Sequence, residues 1–405
     1  MYNLDFIDTP TLKKTKESIL INRQSEKKLG ITVVEKGIIL PFKSQDISNN
    51  QLRIYGGGVI TQSFEHISVV DIGDEVYSYS KSDVKDEMVE VVYLGIFHPK
   101  WGHCITDNIK KIWYLFTTEF QILLASRNIE IVYTVFGDFK LEGSFKDLLT
   151  CLGVIPEKLK PVRDITRYQK VYIPDDSFIF ENNERFYTKE FQEIICRIPT
   201  FNTSKIYDKV YFTRSKFDSN DFGEKEIENF FKKIGYKIIV PEILSFKEQV
   251  SILQNCHTFA ATEGSISHNN IFCKDNSNSI IIRKSDSISN YQLSINQLKK
   301  INVTYIDTHL SLFNSVRQWE GPFFLYVNEN LQRFANSKSF LNSFSISKFM
   351  KYVESSFQLG FYKKEELDVY YWDKLKFEFL NSKRHKYRKL ANKLFPTIFP
   401  YKGGW

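Results

Sequence analysis

Between residues 209 and 307 the hydrophobic and polar positions alternate between two periods. "KVYFTR" is a short β-rich run, "EKEIENFFKKIG" has the spacing of an amphipathic helix closed by Gly235, and "YKIIV" is a strand stopped by Pro241. "SFKEQVSILQNC" predicts a helix capped by Ser245, with Glu248 three residues on as in a capping box. "TFAAT" and "SIIIRK" are further strands, and "YQLSINQLKKI" with "VTYID" adds one more helix and strand. Five strands separated by helices predict βαβ crossovers and a parallel sheet covered on both faces.

The first half is less regular. "ITVVEKGIIL" and "EMVEVVYLGIF" predict strands, followed by a helix over about 104–118, a strand "IEIVYTVF", a helix "FKDLLTCLG" and a strand "KVYIPDD". "YGGGVIT" at 55–61 reads as a hairpin turn, and "RIPTFNTSKIYD" as a linker. After about 311 the pattern is mostly helical. The expected organisation is an N-terminal α/β domain over 1–200, a second α/β domain over 201–310, and a helical extension over 311–405.

Composition narrows the class. The 405 residues are 42% hydrophobic and 25% charged, which fits a globular protein long enough for two domains. The start has acidic residues and no apolar core where a signal peptide needs the reverse. No apolar run approaches the roughly 20 residues that span a bilayer, so a cytoplasmic location is expected. Five cysteines without a CxxC pair suggest free thiols in a reducing compartment, and no metal site. The formal net charge of +7 equals the seven basic residues of segment 381–405, which holds no acid, so the first 380 residues are neutral. Nucleic-acid binding by the body of the protein is disfavoured.

In open α/β sheets, ligands bind beyond the carboxyl ends of the strands. That rule selects "TRSK", "TEGSISHNN" and "FHPKWGHCITDN". Arg214 suits a bidentate contact to phosphate and Lys216 a point-charge contact; both also suit an exposed loop. Gly264 permits a tight turn or a close ligand approach, and Ser265 can cap the next helix. That helix start favours a phosphate or sugar hydroxyl, with His268 and Asn269 as added donors. Equally, the segment is a capped helix whose His268 and Asn269 face solvent. His103 and Asp107, four residues apart, can share a proton in general base chemistry; Asp107 can also simply complement a helix dipole. No GxGxxG is present, which argues against a dinucleotide fingerprint.

The block from "KVYFTRSK" through "PEILSFKEQV" to "EGSISHNNIF", with the earlier "WGHCITDNIKKIWYL", resembles glycosyltransferase family 61 in order and spacing. Glu263 stands where a His often precedes the glycine, and Ser265 where Ala is commoner. The resemblance implies a GT-B-like fold, two Rossmann-like parallel-sheet domains facing a cleft, and an inverting transfer from a nucleotide-sugar, UDP-linked, to a glycan. It implies that Arg214 contacts the diphosphate beside Gly264, and that Asp107, paired with His103, deprotonates the acceptor. Glu263 is a further candidate for the base. The absence of Asp-x-Asp agrees with a metal-independent site that uses no cofactor.

Bacterial members of the family commonly build capsular or other surface polysaccharide. The basic, aromatic segment 381–405 suits an anionic membrane surface, and so a peripheral position on the inner membrane face near a lipid-linked acceptor. It equally suits a helix packed on the first domain. The competing readings are another nucleotide-sugar enzyme, such as an epimerase, and a non-catalytic sugar-binding or assembly subunit.

Overall fold

The computed structural model describes residues 1–47, 51–55, 57–63, 65–69, 79–202, 206–216, 221–311, 321–337, 343–358 and 374–375. Segment 381–405, with its expected membrane contact, and the helical pattern beginning "KKEELDVYYW", apart from 374–375, lie outside them.

The second block folds as its periodicity predicts. Lys209–Phe212, Lys237–Ile239, Thr258–Thr262, Asn278–Arg283 and Asn302–Asp307 form a parallel sheet, with helices Glu224–Lys233, Phe246–Asn255 and Asn290–Leu298 between them. Helix Glu224–Lys233 buries Ile227, Phe230 and Phe231, and Gly235 (φ +89°) ends its turn. Helix Phe246–Asn255 carries the full capping box between Ser245 and Glu248. In spatial order these strands run fifth, fourth, third, first, second. Strand order therefore reverses between Lys209–Phe212 and Thr258–Thr262, and a crevice opens at such a switch point beyond the carboxyl ends.

A sixth strand comes from the start of the chain. Tyr2–Phe6 pairs in parallel with Asn302–Asp307. The helix after it, Thr9–Ile19, is tied to Asp307, whose Oδ2 accepts from Asp8 N (2.8 Å) and Thr11 Oγ1 (3.2 Å). The sheets thus do not divide at 1–200 and 201–310. The buried Arg283–Asp307 pair (2.9 Å) recruits the N-terminus to the second sheet.

The first sheet is mixed rather than wholly parallel. Lys85–Phe97, Ile129–Val135, Leu159–Val162 and Thr166–Pro174 are parallel and stand in the order third, second, first, fourth. Ile31–Glu35, Ile38–Leu40, Gly58–Ile60 and His66–Val69 extend it by antiparallel pairing. The connections from Glu35 to Ile38 and from Ile60 to His66 are too short for the helical crossovers that parallel pairing needs, and the longer one from Leu40 to Gly58 holds the antiparallel pair Lys43–Ile47 and Gln51–Tyr55 instead of a helix. The expected hairpin turn at 55–61 is instead a junction into strand Gly58–Ile60. A Cβ on Gly57 would lie 2.1 Å from the Leu40 carbonyl oxygen, so only glycine fits there.

The helix expected over 104–118 is replaced by an α-turn, Trp101–Cys104, and 3-10 turns at Asp107–Ile109 and Ile112–Phe116. Competing bonds explain the difference. Asn108 grips the backbone of His98 through both its oxygen (2.9 Å) and its nitrogen (3.0 Å). The Lys110 carbonyl, which a helix would use, accepts from Ser177 N and Oγ. The regular helix begins later, at Thr118–Ser126, capped by Thr117. Asp176 holds this segment from the other side, reaching Lys110 (2.8 Å) and Lys111 (2.7 Å). Burial opposes ionisation of Asp176, but the two lysines hold its carboxyl far below the usual carboxylate range.

One buried cluster runs from Val92, Leu94 and Phe97 of the first sheet through Ile105, Ile109 and Ile112 to Val210, Phe212, Phe259 and Ala261 of the second. The sheets therefore share packing instead of facing each other only across solvent. In the expected extension, Phe323–Phe324 pairs with Asp221–Phe222. Helix Ile346–Gln358 packs on that pair through Phe349 and Tyr352. No helix among the described residues is long and apolar enough to cross a membrane.

The Arg283–Asp307 pair has no exposed side-chain surface. Asp307→Ala, which strands a buried guanidinium, is expected to cost about 3–5 kcal/mol. Arg283→Met with Asp307→Leu should recover much of that loss in urea unfolding.

Candidate functional site

The loops leaving the carboxyl ends of the two sheets meet. From the first sheet comes His98–Asp107, and from the second come Glu263–Asn270 and helix Asn290–Leu298. Trp101 Nε1 donates to Asn269 Oδ1 (2.9 Å) across the junction. Gly102 makes the approach possible: a Cβ there would sit 3.0 Å from Ser265 Oγ and 3.1 Å from His268 Nδ1.

Asp107 is the hub. Its Oδ2 meets His103 Nδ1 at 2.5 Å and accepts from Tyr291 OH at 2.9 Å. Arg185 lies 3.6 Å from Oδ1 and donates to Tyr291 OH (2.6 Å). Its guanidinium is sandwiched between Phe180 (4.3 Å) and Tyr291 (4.4 Å). Burial alone would raise the Asp107 carboxyl, but the His103 hydrogen bond and the charges of Arg185, His103 and Lys110 hold it down to about 2. The Asp107 side chain is 12% exposed and that of His103 is 30% exposed. With Nδ1 engaged, His103 makes no hydrogen bond through Nε2 among the described residues. Asp107 Oδ1 also lacks a hydrogen bond but is buried, so the more exposed side chain of the pair is the histidine.

The expected helix after Gly264 is a six-residue 3-10 turn, Ser267–Phe272, without a side-chain cap. Ser265 caps nothing; the turn is held by Ser267, whose Oγ bonds Gly264 N, Gly264 O and Gln292 Oε1. His268 and Asn269 are neither solvent-facing nor presented as donors, because both are buried. Asn269 is spent on Trp101 and on the Ile266 carbonyl. His268 stacks on Tyr291 (6.0 Å), and neither ring nitrogen has a hydrogen-bond partner. Burial, and secondarily the charge of His103, lowers its pKa to about 3.

Glu263 does not join the His103–Asp107 pair. Its Oε1 accepts from Ser289 N (3.1 Å), fixing the start of the helix that carries Tyr291. Burial raises its carboxyl, with Arg283, the Ser289 N–H and Lys284 acting in the opposite direction.

Arg214, Gly264 and Lys284 lie just beyond the carboxyl ends of three neighbouring strands of the second sheet. Gly264 (φ +125°) is in a conformation that favours glycine, and a Cβ there would meet Lys284 Nζ at 3.8 Å and Arg214 Nη1 at 3.9 Å. Lys216 is exposed beyond them. Glu224 stands behind, accepting from Tyr211 OH (2.7 Å) and Arg214 N (3.3 Å). Burial first, and then the charge of Asp221, pushes its carboxyl to about 7.

The cations and the His103–Asp107 pair belong to one locality. Gly102, next to His103, touches Ser265, and Ser265 adjoins Gly264, which the cations face. Residues 101–282 match the family model Glycosyltransferase 61. The match supports a glycosyltransferase, with a sugar donor and a glycan acceptor. A search of curated proteins found no match. The glycosyltransferase 61 segment contains His103, Asp107, Arg185, Arg214 and Gly264, whereas Tyr291 and Lys284 lie just beyond it.

Sequence reasoning missed Arg185, Tyr291 and Lys284. For Arg185 a signal existed: Asn182 (φ 51°) and Asn183 (φ 61°) form the tight turn between strands Phe178–Glu181 and Glu184–Tyr187. Paired asparagines between short aromatic runs predict such a hairpin. Tyr291 was legible only as a helical position.

Two outcomes follow from this packing. Gly102→Ala should cost about 1–3 kcal/mol in denaturant unfolding, because His268 has little room to yield. His268 stays neutral in the fold, while the unfolded chain binds its proton near the ordinary 6.5, so stability falls as pH drops from 6.5 towards 3. Near pH 5, His268→Leu should flatten the stability–pH slope by about 1.4 kcal/mol per pH unit.

Proposed function

We propose that this protein is an inverting glycosyltransferase that moves a sugar from a nucleotide-sugar, UDP-linked in our reading, to a glycan acceptor. The observation that carries the reading is the meeting of two loops: the one that holds the Asp107-bound His103 packs, through Trp101 and Gly102, on the one whose Gly264 faces Arg214 at the switch point. Inversion requires a base on the face of the sugar opposite the departing nucleotide, and groups contributed by opposing sheets suit that geometry. This is the GT-B-like division of labour, with the donor on the second sheet and the acceptor on the first.

His103 is assigned as the general base, with Asp107 as its positioning carboxylate. Asp107 is committed to His103, Tyr291 and Arg185, and a carboxyl held at about 2 is a weak proton acceptor at neutral pH. Bonding at Nδ1 directs Nε2 of a neutral imidazole to accept the acceptor hydroxyl's proton. Arg214 takes charge developing on the leaving diphosphate. The product in this reading is capsular or other surface polysaccharide. Segment 381–405, with seven basic residues and Phe395, Phe399 and Trp405, would bring the cytoplasmic enzyme to an anionic membrane and a lipid-linked acceptor.

The assay is nucleotide release from UDP-, GDP-, CMP- and dTDP-sugars with glycan acceptors. His103→Ala should lower turnover by about two to four orders of magnitude, with partial rescue by added imidazole. Asp107→Asn should also lower turnover, without imidazole rescue, and leave donor binding nearly intact. A His103→Ala enzyme within a few-fold of wild type overturns the assignment of the base. Absence of turnover with every donor favours a non-catalytic binding subunit. Arg214→Ala should weaken nucleoside-diphosphate binding by about 1.5–3 kcal/mol in calorimetry.

A further inference from the structure

The two cations at the switch point share a counter-anion supplied by the chain. Asp221 reaches Lys284 Nζ through both oxygens (3.2 and 3.1 Å) and lies 3.9 Å from Arg214 Nη1. The Asp221 side chain is 4% exposed and that of Lys284 is 8% exposed. A lysine so withdrawn from water needs an anion beside it. Glu224 does not fill that role by hydrogen bonding, since its bonded oxygen is occupied by Tyr211 and the Arg214 backbone.

We propose that Lys284 is the second cation of the donor-diphosphate site, and that Asp221 is a resident counter-anion whose place the diphosphate takes. The proposal rests on the donor reading above. Three observations support it independently of any pKa. Lys284 and Arg214 converge within 4 Å of the Gly264 Cβ position, where the absence of a side chain leaves the backbone open to a phosphate. They follow the two strands that flank Thr258–Thr262, on the carboxyl edge, where ligands bind in such sheets. Lys284 is also seated without Asp221, because its Nζ lies 4.5 Å over the Phe323 ring.

Asp221 differs from its partners in how it is held. Among the described residues it occupies a two-residue strand paired with Phe323–Phe324 alone, against which helix Ile346–Gln358 packs. Arg214 and Lys284 instead extend from the central sheet. An exchange of anions therefore needs movement of a short peripheral strand and none of the sheet. Lys284 stays neutralised before and after the exchange, so donor binding does not have to create a new buried charge pair from solvent-exposed groups. The resident carboxylate keeps the empty site from capturing unrelated anions, at a cost in donor affinity.

Calorimetric titration of the full chain with inorganic pyrophosphate and with UDP tests this, using wild type, Asp221→Asn, Lys284→Met and Lys284→Arg. Asp221→Asn should tighten pyrophosphate binding about tenfold, because a competing anion is removed. Lys284→Met should weaken it about 10- to 100-fold, the loss expected for a charge-assisted contact, and Lys284→Arg should restore most of it. Unchanged or weaker binding by Asp221→Asn overturns the exchange and makes Asp221 a structural clamp on the two cations. Should Asp221→Asn fail to fold, Asp221→Ser carries the same expectation. Lys284→Met at wild-type affinity removes Lys284 from the site. If wild type binds pyrophosphate and releases nucleotide from a donor while these variants show no change, only this inference fails. If wild type binds neither probe and turns over no donor, the donor reading fails with it.

Discussion

Asp107 leaves the first sheet in the loop after strand Lys85–Phe97, and its carboxylate accepts from Tyr291 on a helix of the second sheet. The same carboxylate holds His103, and Arg185 braces it through Tyr291 and its own charge. Most of what surrounds the site depends on how this buried ion is compensated. Its Oδ2 takes the hydrogen bonds of His103 and Tyr291, while among the described residues its Oδ1 has no hydrogen bond and only the Arg185 charge at 3.6 Å. A carboxylate that deep in the protein needs such partners, and they come from three segments far apart in the chain. Satisfying one charge therefore fixes the relative placement of two sheets.

That placement sets the cations on one side of the junction and the histidine on the other. Just beyond three neighbouring strands of the second sheet stand Arg214, Gly264 and Lys284, a surface suited to an anion. The first sheet contributes a half-buried imidazole whose orientation is set by Asp107. Glu263, which looked like a candidate base, serves the same assembly from behind by fixing Ser289 and hence the helix that carries Tyr291. Gly102 is where the two sides come close, because a side chain there would strike Ser265 and His268, whereas Gly264 is required by its own φ of +125°.

Much of the fold was legible from periodicity. The parallel strands of the second block and the Ser245–Glu248 capping box depend on local patterns, and they form where those patterns predict. The segment after Trp101 has a helical apolar spacing, but the Asn108 side chain folds it back onto the backbone of His98 and Ser177 takes the Lys110 carbonyl. Ser265 was misread similarly: it has the right type for a cap, but Ser267 holds the turn through Gln292, a residue on another helix. Side chains reaching across the structure do not announce themselves in the spacing of a single segment.

The sequence by itself determined the alternation of strands and helices, the strand ends where polar loops collect, and the candidacy of His103, Asp107, Arg214 and Gly264. These follow from local chemistry, since hydrophobic period, capping residues and glycine are read within a few positions. Only the tertiary structure decided that Tyr2–Phe6 joins the second sheet, that Tyr291 and Arg185 complete the Asp107 cluster, and that Lys284 stands beside Arg214. Each is a pairing of residues more than 60 positions apart, and it is settled by which buried charges and carbonyls still lack a partner once the sheets have packed.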